Sequence, residues 1–205
     1  MYAQVLIAAS FAIAAYQDVR ERAVNDIVWI PALAGTVYIF YSLVSTASPL
    51  LEFQIVKVAL LGGLSLAVAY FGYVGQADAI AIAFIAVDPY LLSPIPALIA
   101  SSIVALGHIG YEFGVGNARG GIRVPIEKFL KEQRWIPKAI VVNGVRTEVS
   151  SDVNVAREEV EARQTPGAVV EVSYGVPTVA YLGVGYGAFL VYLLLFNSAA
   201  FFSLP

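Results

Sequence analysis

The chain contains no cysteine and a single histidine among its 205 residues. The first absence excludes disulfides, thiolate metal sites and cysteine nucleophiles, and leaves no mark of redox compartment. The second leaves little for a histidine-rich metal centre. Charge is scarce as well. Charged side chains make up 13% of the chain, against roughly 25% in an average soluble domain. A soluble globule needs polar side chains to cover its surface, and here there are too few. The net charge of −3 and a pI near 5.1 argue against a general nucleic-acid binder. Apolar residues fill the gap, at 59%, and mean hydropathy is +0.77. This is the composition of an integral membrane protein.

Long uncharged runs cover 1–17, 27–51, 58–77, 89–111 and 172–205. Each approaches or exceeds the ~20 residues that cross a hydrocarbon core of ~30 Å. A further stretch, 79–92, is broken only by Asp88 and reads as a short helix. The expected spans are therefore six, at about 2–17, 27–46, 55–74, 77–92, 94–116 and 175–202. The first run does not read as a cleaved signal peptide. No basic segment precedes it, and Asp18 stands where a small-residue cleavage site would be.

Orientation follows from the 12 basic residues. With the N-terminus outside, Arg20, Arg22 and the nine from Arg119 to Arg163 fall on the cytoplasmic side, leaving only Lys57 outside. The reverse orientation would invert the positive-inside bias. Both termini are expected outside.

Residues 117–174 differ in kind, with nine basic and eight acidic side chains. Pro125 suits the first turn of a helix over 126–134, where its missing N–H costs nothing. Asn143-Gly144 between two apolar stretches, 139–142 and 145–149, is a strong hairpin signal, because both turn positions need φ > 0. A charged helix is expected over 153–163 and a strand over 168–174. The fold class is thus an all-α integral membrane protein of six helices with a small cytoplasmic α/β insert. Its parts are helices one to five (1–116), the insert (117–174) and helix six (175–205).

An acid at the end of an apolar span needs a reason, since a charge at the bilayer centre costs at least ~2.5 kcal/mol. Asp18 closes the first span and Asp78 opens the fourth, so the expected topology puts two carboxylates at one membrane depth. Helix capping accounts for Asp78. It accounts poorly for Asp18, which opposes the dipole of its own helix. Two facing carboxylates share a proton. One then activates water while the protonated partner polarises a carbonyl, which hydrolyses a peptide bond without metal or covalent intermediate.

Asp26 opens the second span and is the rival for a dyad role, with capping the preferred reading. Glu21 and Asp26 together could attract basic residues of a substrate. Asp88, beside Pro89, reads as a turn residue at the opposite face. His108 and Glu112 share a helix face at i, i+4, which suits an ion pair or hydrogen bond better than a metal site. Gly110 with Gly114, and Gly183 with Gly187, have the spacing of close helix packing. Arg119 and Arg123 suit anionic lipid. Gly183-Val184-Gly185-Tyr186-Gly187 has a superficial likeness to a potassium-filter loop, which keeps a small channel or transporter, or a non-catalytic membrane scaffold, as the alternative.

Gly75-Gln76-Ala77-Asp78 resembles the Gly-x-Gly-Asp motif of intramembrane-type aspartic proteases. Gln17-Asp18-Val19-Arg20-Glu21-Arg22 resembles the first-aspartate motif of type IV prepilin peptidases. The order of parts along essentially the whole chain resembles the archaeal preflagellin (prearchaellin) peptidase branch. The cysteine-bearing domain usual in bacterial prepilin peptidases has no counterpart here. One departure is Ala77 in place of the second motif glycine, which leaves less freedom for φ > 0 beside Asp78. The resemblance implies a catalytic pair, Asp18 and Asp78, with Gly75, Gln76 and Ala77 as motif and hinge. It implies no cofactor or metal. The substrates would be precursors with class III signal peptides, archaellins or pilin-like proteins, cut at the cytoplasmic membrane face, with lipid as the other partner and no nucleic acid.

Overall fold

The computed structural model describes residues 2–71, 75–90, 94–114, 122–132, 135–150, 153–165 and 167–196. The chain forms two compact units. One comprises 1–19, 23–106 and 177–205, the other 20–22 and 107–176. Arg119 falls outside the described residues.

The first unit is helical. It is built from α1 (Tyr2–Glu21) as far as residue 19, a 3-10 turn (Asp26–Trp29) running into α2 (Ile30–Ser45), α3 (Leu50–Tyr70), α4 (Gln76–Val87), α5 (Pro94–Gly114) as far as residue 106, and α8 (Thr178–Phe196). Four stretches are long and apolar enough to cross a membrane: Asp26–Ser45, Leu50–Tyr70, Pro94–Gly114 and Thr178–Phe196. The fourth helix is shorter than a span. At ~1.5 Å per residue, its 12 residues reach about 18 Å, against a core of ~30 Å.

The interior of this unit joins α1, α2, α4 and α8 through rings. Phe11 stands edge-on to Trp29 at 5.6 Å, and Trp29 stacks on Phe84 at 5.4 Å. Phe11 also meets Tyr186 at 5.3 Å. Outward-facing side chains such as Leu33, Val37, Leu60, Leu64, Ile99 and Leu106 are apolar and exposed, as lipid-facing positions require. Close helix packing centres on Gly185. A Cβ there would overlap Ser101 Oγ and the Ala97 carbonyl and lie 2.7 Å from the Ser101 nitrogen. Gly183 lies against Phe11 and Ala15 of α1, whereas Gly187, Gly110 and Gly114 have open space where a Cβ would stand. The small-residue spacing therefore marks only one of its two expected pairs, and only in part.

The second unit carries a four-stranded antiparallel sheet in the order β1-β4-β2-β3. Its elements are β1 (Ile122–Pro125), α6 (Ile126–Lys131), β2 (Trp135–Val142), β3 (Val145–Glu148), α7 (Val153–Ala162) and β4 (Val169–Tyr174). The hairpin turns at Asn143-Gly144 with φ of 50° and 82°, as the sequence predicts. Pro137 sits at a register shift between Pro137 and Ala139, a place where a proline in an inner strand removes no ladder bond. Helix α6 ends at Lys131, earlier than expected, and β1 was not anticipated. Phe129, Val160, Val170 and Val172 form the buried centre of this unit.

Candidate active site

Asp18 lies in the last turn of α1 and is 8% exposed. The turn that follows is pinned by two hydrogen bonds. Asn25 donates its backbone N–H to Gln17 Oε1 at 2.9 Å, and Ile27 N–H donates to Asn25 Oδ1 at 3.0 Å. Asn25, not Asp26, is thus the cap of the 3-10 turn. Asp26 is its exposed first residue, and Glu21 is the exposed last residue of α1. The misfit of Asp18 with its own helix has a structural resolution. Its Oδ2 accepts the backbone N–H of Ala180 at 3.0 Å, in the first turn of α8. The carboxylate caps a helix to which it does not belong, at the end whose dipole favours negative charge.

Asp78 stands three residues after Gly75, the N-cap of α4. Its carboxylate accepts the Gly75 backbone N–H, the reach-back that an acid makes at this position of a capping box. A Cβ at residue 75 would lie 3.1 Å from Asp78 Oδ2. The first motif glycine therefore clears space for the carboxylate. Gln76 and Ala77 form the first turn of α4, so they belong to the helix, not to the flexible hinge expected for them. Among the described residues the non-glycine positions with positive φ are Arg22, Ala47 and Asn143. Ala77 needs no left-handed backbone, and its departure from the motif carries no strain.

The fold brings Asp18 and Asp78, sixty residues apart in the chain, close enough for their charges to act on each other. Each also accepts a backbone N–H, Asp18 from Ala180 and Asp78 from Gly75. The second unit holds His108 and Glu112. His108 Nε2 lies 3.4 Å from Glu112 Oε1, and the His108 ring meets Tyr174 edge-on at 6.2 Å. Among the described residues no three His, Cys, Asp or Glu side chains gather as a metal site would require. The five residues from Gly183 to Gly187 are continuous helix within α8, so their carbonyls are engaged by helix bonds.

The sequence reading missed a second polar cluster, at the far end of α4. Asp88 is fully buried. It is a turn residue, as expected, with Oδ1 accepting the Tyr90 N–H at 3.0 Å, and its Oδ2 also accepts the Tyr186 hydroxyl at 3.1 Å. Lys57 Nζ donates to the carbonyls of Asp88 at 2.6 Å and Tyr90 at 2.8 Å. Gln54 donates to the Val87 carbonyl and lies 3.4 Å from those of Ala86 and Asp88. The available signal was Lys57 itself, the one basic residue that the expected topology leaves outside.

The chain matches no protein-family model, no curated protein and no solved structure.

Proposed function

We propose that this protein is a membrane aspartic endopeptidase of the preflagellin/prepilin peptidase type, with Asp18 and Asp78 as its catalytic pair. The observation that supports the reading is that two acids, from the ends of α1 and α4, lie within electrostatic range of each other in a largely apolar helical unit. Its support in the sequence is the pair of motifs around them. In this reading α1 and the short α4 also count as spans, six in all, and both termini face outward.

The chemistry needs one proton on the pair. The ionised carboxylate takes a proton from water as the water oxygen attacks the scissile carbonyl. The protonated partner donates to the carbonyl oxygen, which becomes the gem-diol hydroxyl. As the C–N bond breaks, one carboxylic acid protonates the leaving amine while the other carboxylate takes a proton from a diol hydroxyl, which becomes the product carboxyl, and the pair again holds one proton. Glu21, at the end of α1, and Asp26, at the start of the 3-10 turn, are both exposed, and in this reading each supplies negative charge toward the basic segment of a class III signal peptide. Its apolar helix stays beside the spans.

A second reading has a specific observation behind it. Both acids cap helix N-termini, Asp18 on α8 and Asp78 on α4, which suits a non-catalytic scaffold. Cleavage of a class III precursor in bilayers by the wild type, Asp18→Asn and Asp78→Asn decides between them. The protease reading expects turnover by the wild type and none by either variant. Turnover by either single variant removes the pair, and an inactive wild type with well-inserted protein favours the scaffold.

A further inference from the structure

The far end of α4 poses a problem that the proposed chemistry does not address. A helix of about 18 Å starting at one interface ends inside the hydrocarbon, where its last carbonyls have no water. Irregular backbone survives at such depth only when protein supplies the partners. Here the partners come from α3. Gln54 and Lys57, both buried, stand one turn apart and donate to the carbonyls of Val87, Asp88 and Tyr90. Asp88 turns its carboxylate onto Tyr186 of α8 and the Tyr90 N–H, within electrostatic range of the Lys57 ammonium. A lysine at this depth is costly, and no apolar residue could replace what it donates.

Helix α4 is also fastened to α3 closer to its first turn. Ser65 Oγ donates to the Ala79 carbonyl at 3.1 Å, and Gly62 lets α3 approach Ala83. The carboxylate of Asp78 and the clamped end lie ten residues apart, about 15 Å along a helix. We propose that Lys57, with Gln54, is a positioning residue that anchors the buried end of α4 and so sets the depth and rotation of Asp78. This rests on the proposed protease reading for its consequence in turnover, but not for its geometry. Without these donors, α4 slides outward to bring its carbonyls to water, and its first turn is drawn into the hydrocarbon.

The test uses the full chain in nanodiscs, which leave both faces open. The absence of cysteine makes Gln76→Cys a single reporter on the exposed first residue of α4. Lys57→Met should lower its rate of alkylation by a water-soluble maleimide several-fold, and Lys57→Arg, which keeps the donors, should restore it. On the chain without the reporter, Lys57→Met should lower kcat for precursor cleavage with KM little changed, by up to about a hundredfold if Asp78 shifts by ~1 Å, and Lys57→Arg should recover most of it. If Lys57→Met does not insert, Gln54→Leu is the milder variant and is read the same way. Unchanged alkylation in the loss-of-donor variant, or Arg behaving like Met, overturns the proposal. Alkylation needs no turnover, so retained cleavage by Asp78→Asn would remove the protease reading while the labelling still judged the anchor.

Discussion

Asp18 accepts the Ala180 backbone N–H at 3.0 Å across 162 residues of sequence, tying the end of α1 to the start of α8. An acid that both caps a neighbouring helix and belongs to a reactive pair has two separable roles. Asn keeps an acceptor oxygen for Ala180, and Ala keeps none. Asp18→Ala should therefore lose about 1 kcal/mol of stability as a lost N-cap, read as a lower thermal midpoint in detergent. Asp18→Asn should stay within a few tenths of wild type while cleavage is lost. Equal destabilisation by both would mean that charge, and not the hydrogen bond, holds α8.

The geometry at the start of α4 separates two positions that the motif treats alike. Gly75→Ala puts a methyl about 3 Å from Asp78 Oδ2 and should displace the carboxylate, lowering kcat at least tenfold. Ala77→Gly recreates the second motif glycine but should not raise activity. Its effect should be a loss of ~0.5–1 kcal/mol from glycine inside a helix. A more active Ala77→Gly enzyme would show that backbone freedom at 77 matters after all.

Much of the framework was legible in the sequence because it is set by local rules. Five uncharged runs and the stretch broken by Asp88 located six helices, four of them long and apolar enough to cross a membrane, and Asn143-Gly144 located the hairpin. Strand β1 was not legible. Its four residues, Ile122–Pro125, end on a proline and gain strand character only from pairing with β4. The capping assignment went to Asp26 because two Asx residues stand side by side, and only the backbone decides that Asn25 takes the role. At the candidate site, that Asp18 ends one helix and Asp78 opens another was readable from the sequence. What each carboxylate touches was not, because Ala180 is distant in sequence and the glycine at 75 acts through space, not through φ. The anchor formed by Lys57 spans 31 residues to Asp88, beyond any periodic pattern.

Helix α8 offers a packing test. Gly185→Ala would overlap Ser101 and the Ala97 carbonyl of α5, and relieving that overlap means parting two helices. Overpacking of this kind costs about 1–3 kcal/mol. Gly187→Ala has open space and should be neutral. Comparison of the two midpoints checks the prediction, and equal behaviour would contradict the α5–α8 contact.

The second unit should respond to acid through Glu171. Arg146 donates to its Oε2 at 2.7 Å and, with Arg123, holds this carboxyl below the usual glutamate value of 4.5. A depressed pKa means that the folded state holds its proton more weakly than the unfolded chain. The stabilisation is therefore complete above pH 4.5 and disappears as pH falls through the lower folded value. The pair is exposed, so the effect is small. Amide protection in β2 and β4 should decline over that range, and Arg146→Met should lose part of the decline. An unchanged acid profile in Arg146→Met would show that the ion pair carries none of it.

The last expectation concerns the pair itself. At rest Asp18 is turned to the Ala180 N–H and Asp78 to the Gly75 N–H, so each carboxylate has a partner other than a catalytic water. Two acids placed side by side would also repel unless they shared a proton. Substrate binding is therefore expected to draw the two ends together, exchanging these backbone donors for water and the scissile carbonyl. Cysteines at 18 and 78, in a chain that has no others, report the separation directly. The pair is inactive, so bound precursor is not consumed. Short-range crosslinking should be slow alone and faster with a class III precursor, whereas a soluble peptide lacking the apolar helix should have no effect. Rapid crosslinking of equal yield in all three conditions would mean a site already assembled, and substrate-driven closure would have to be abandoned.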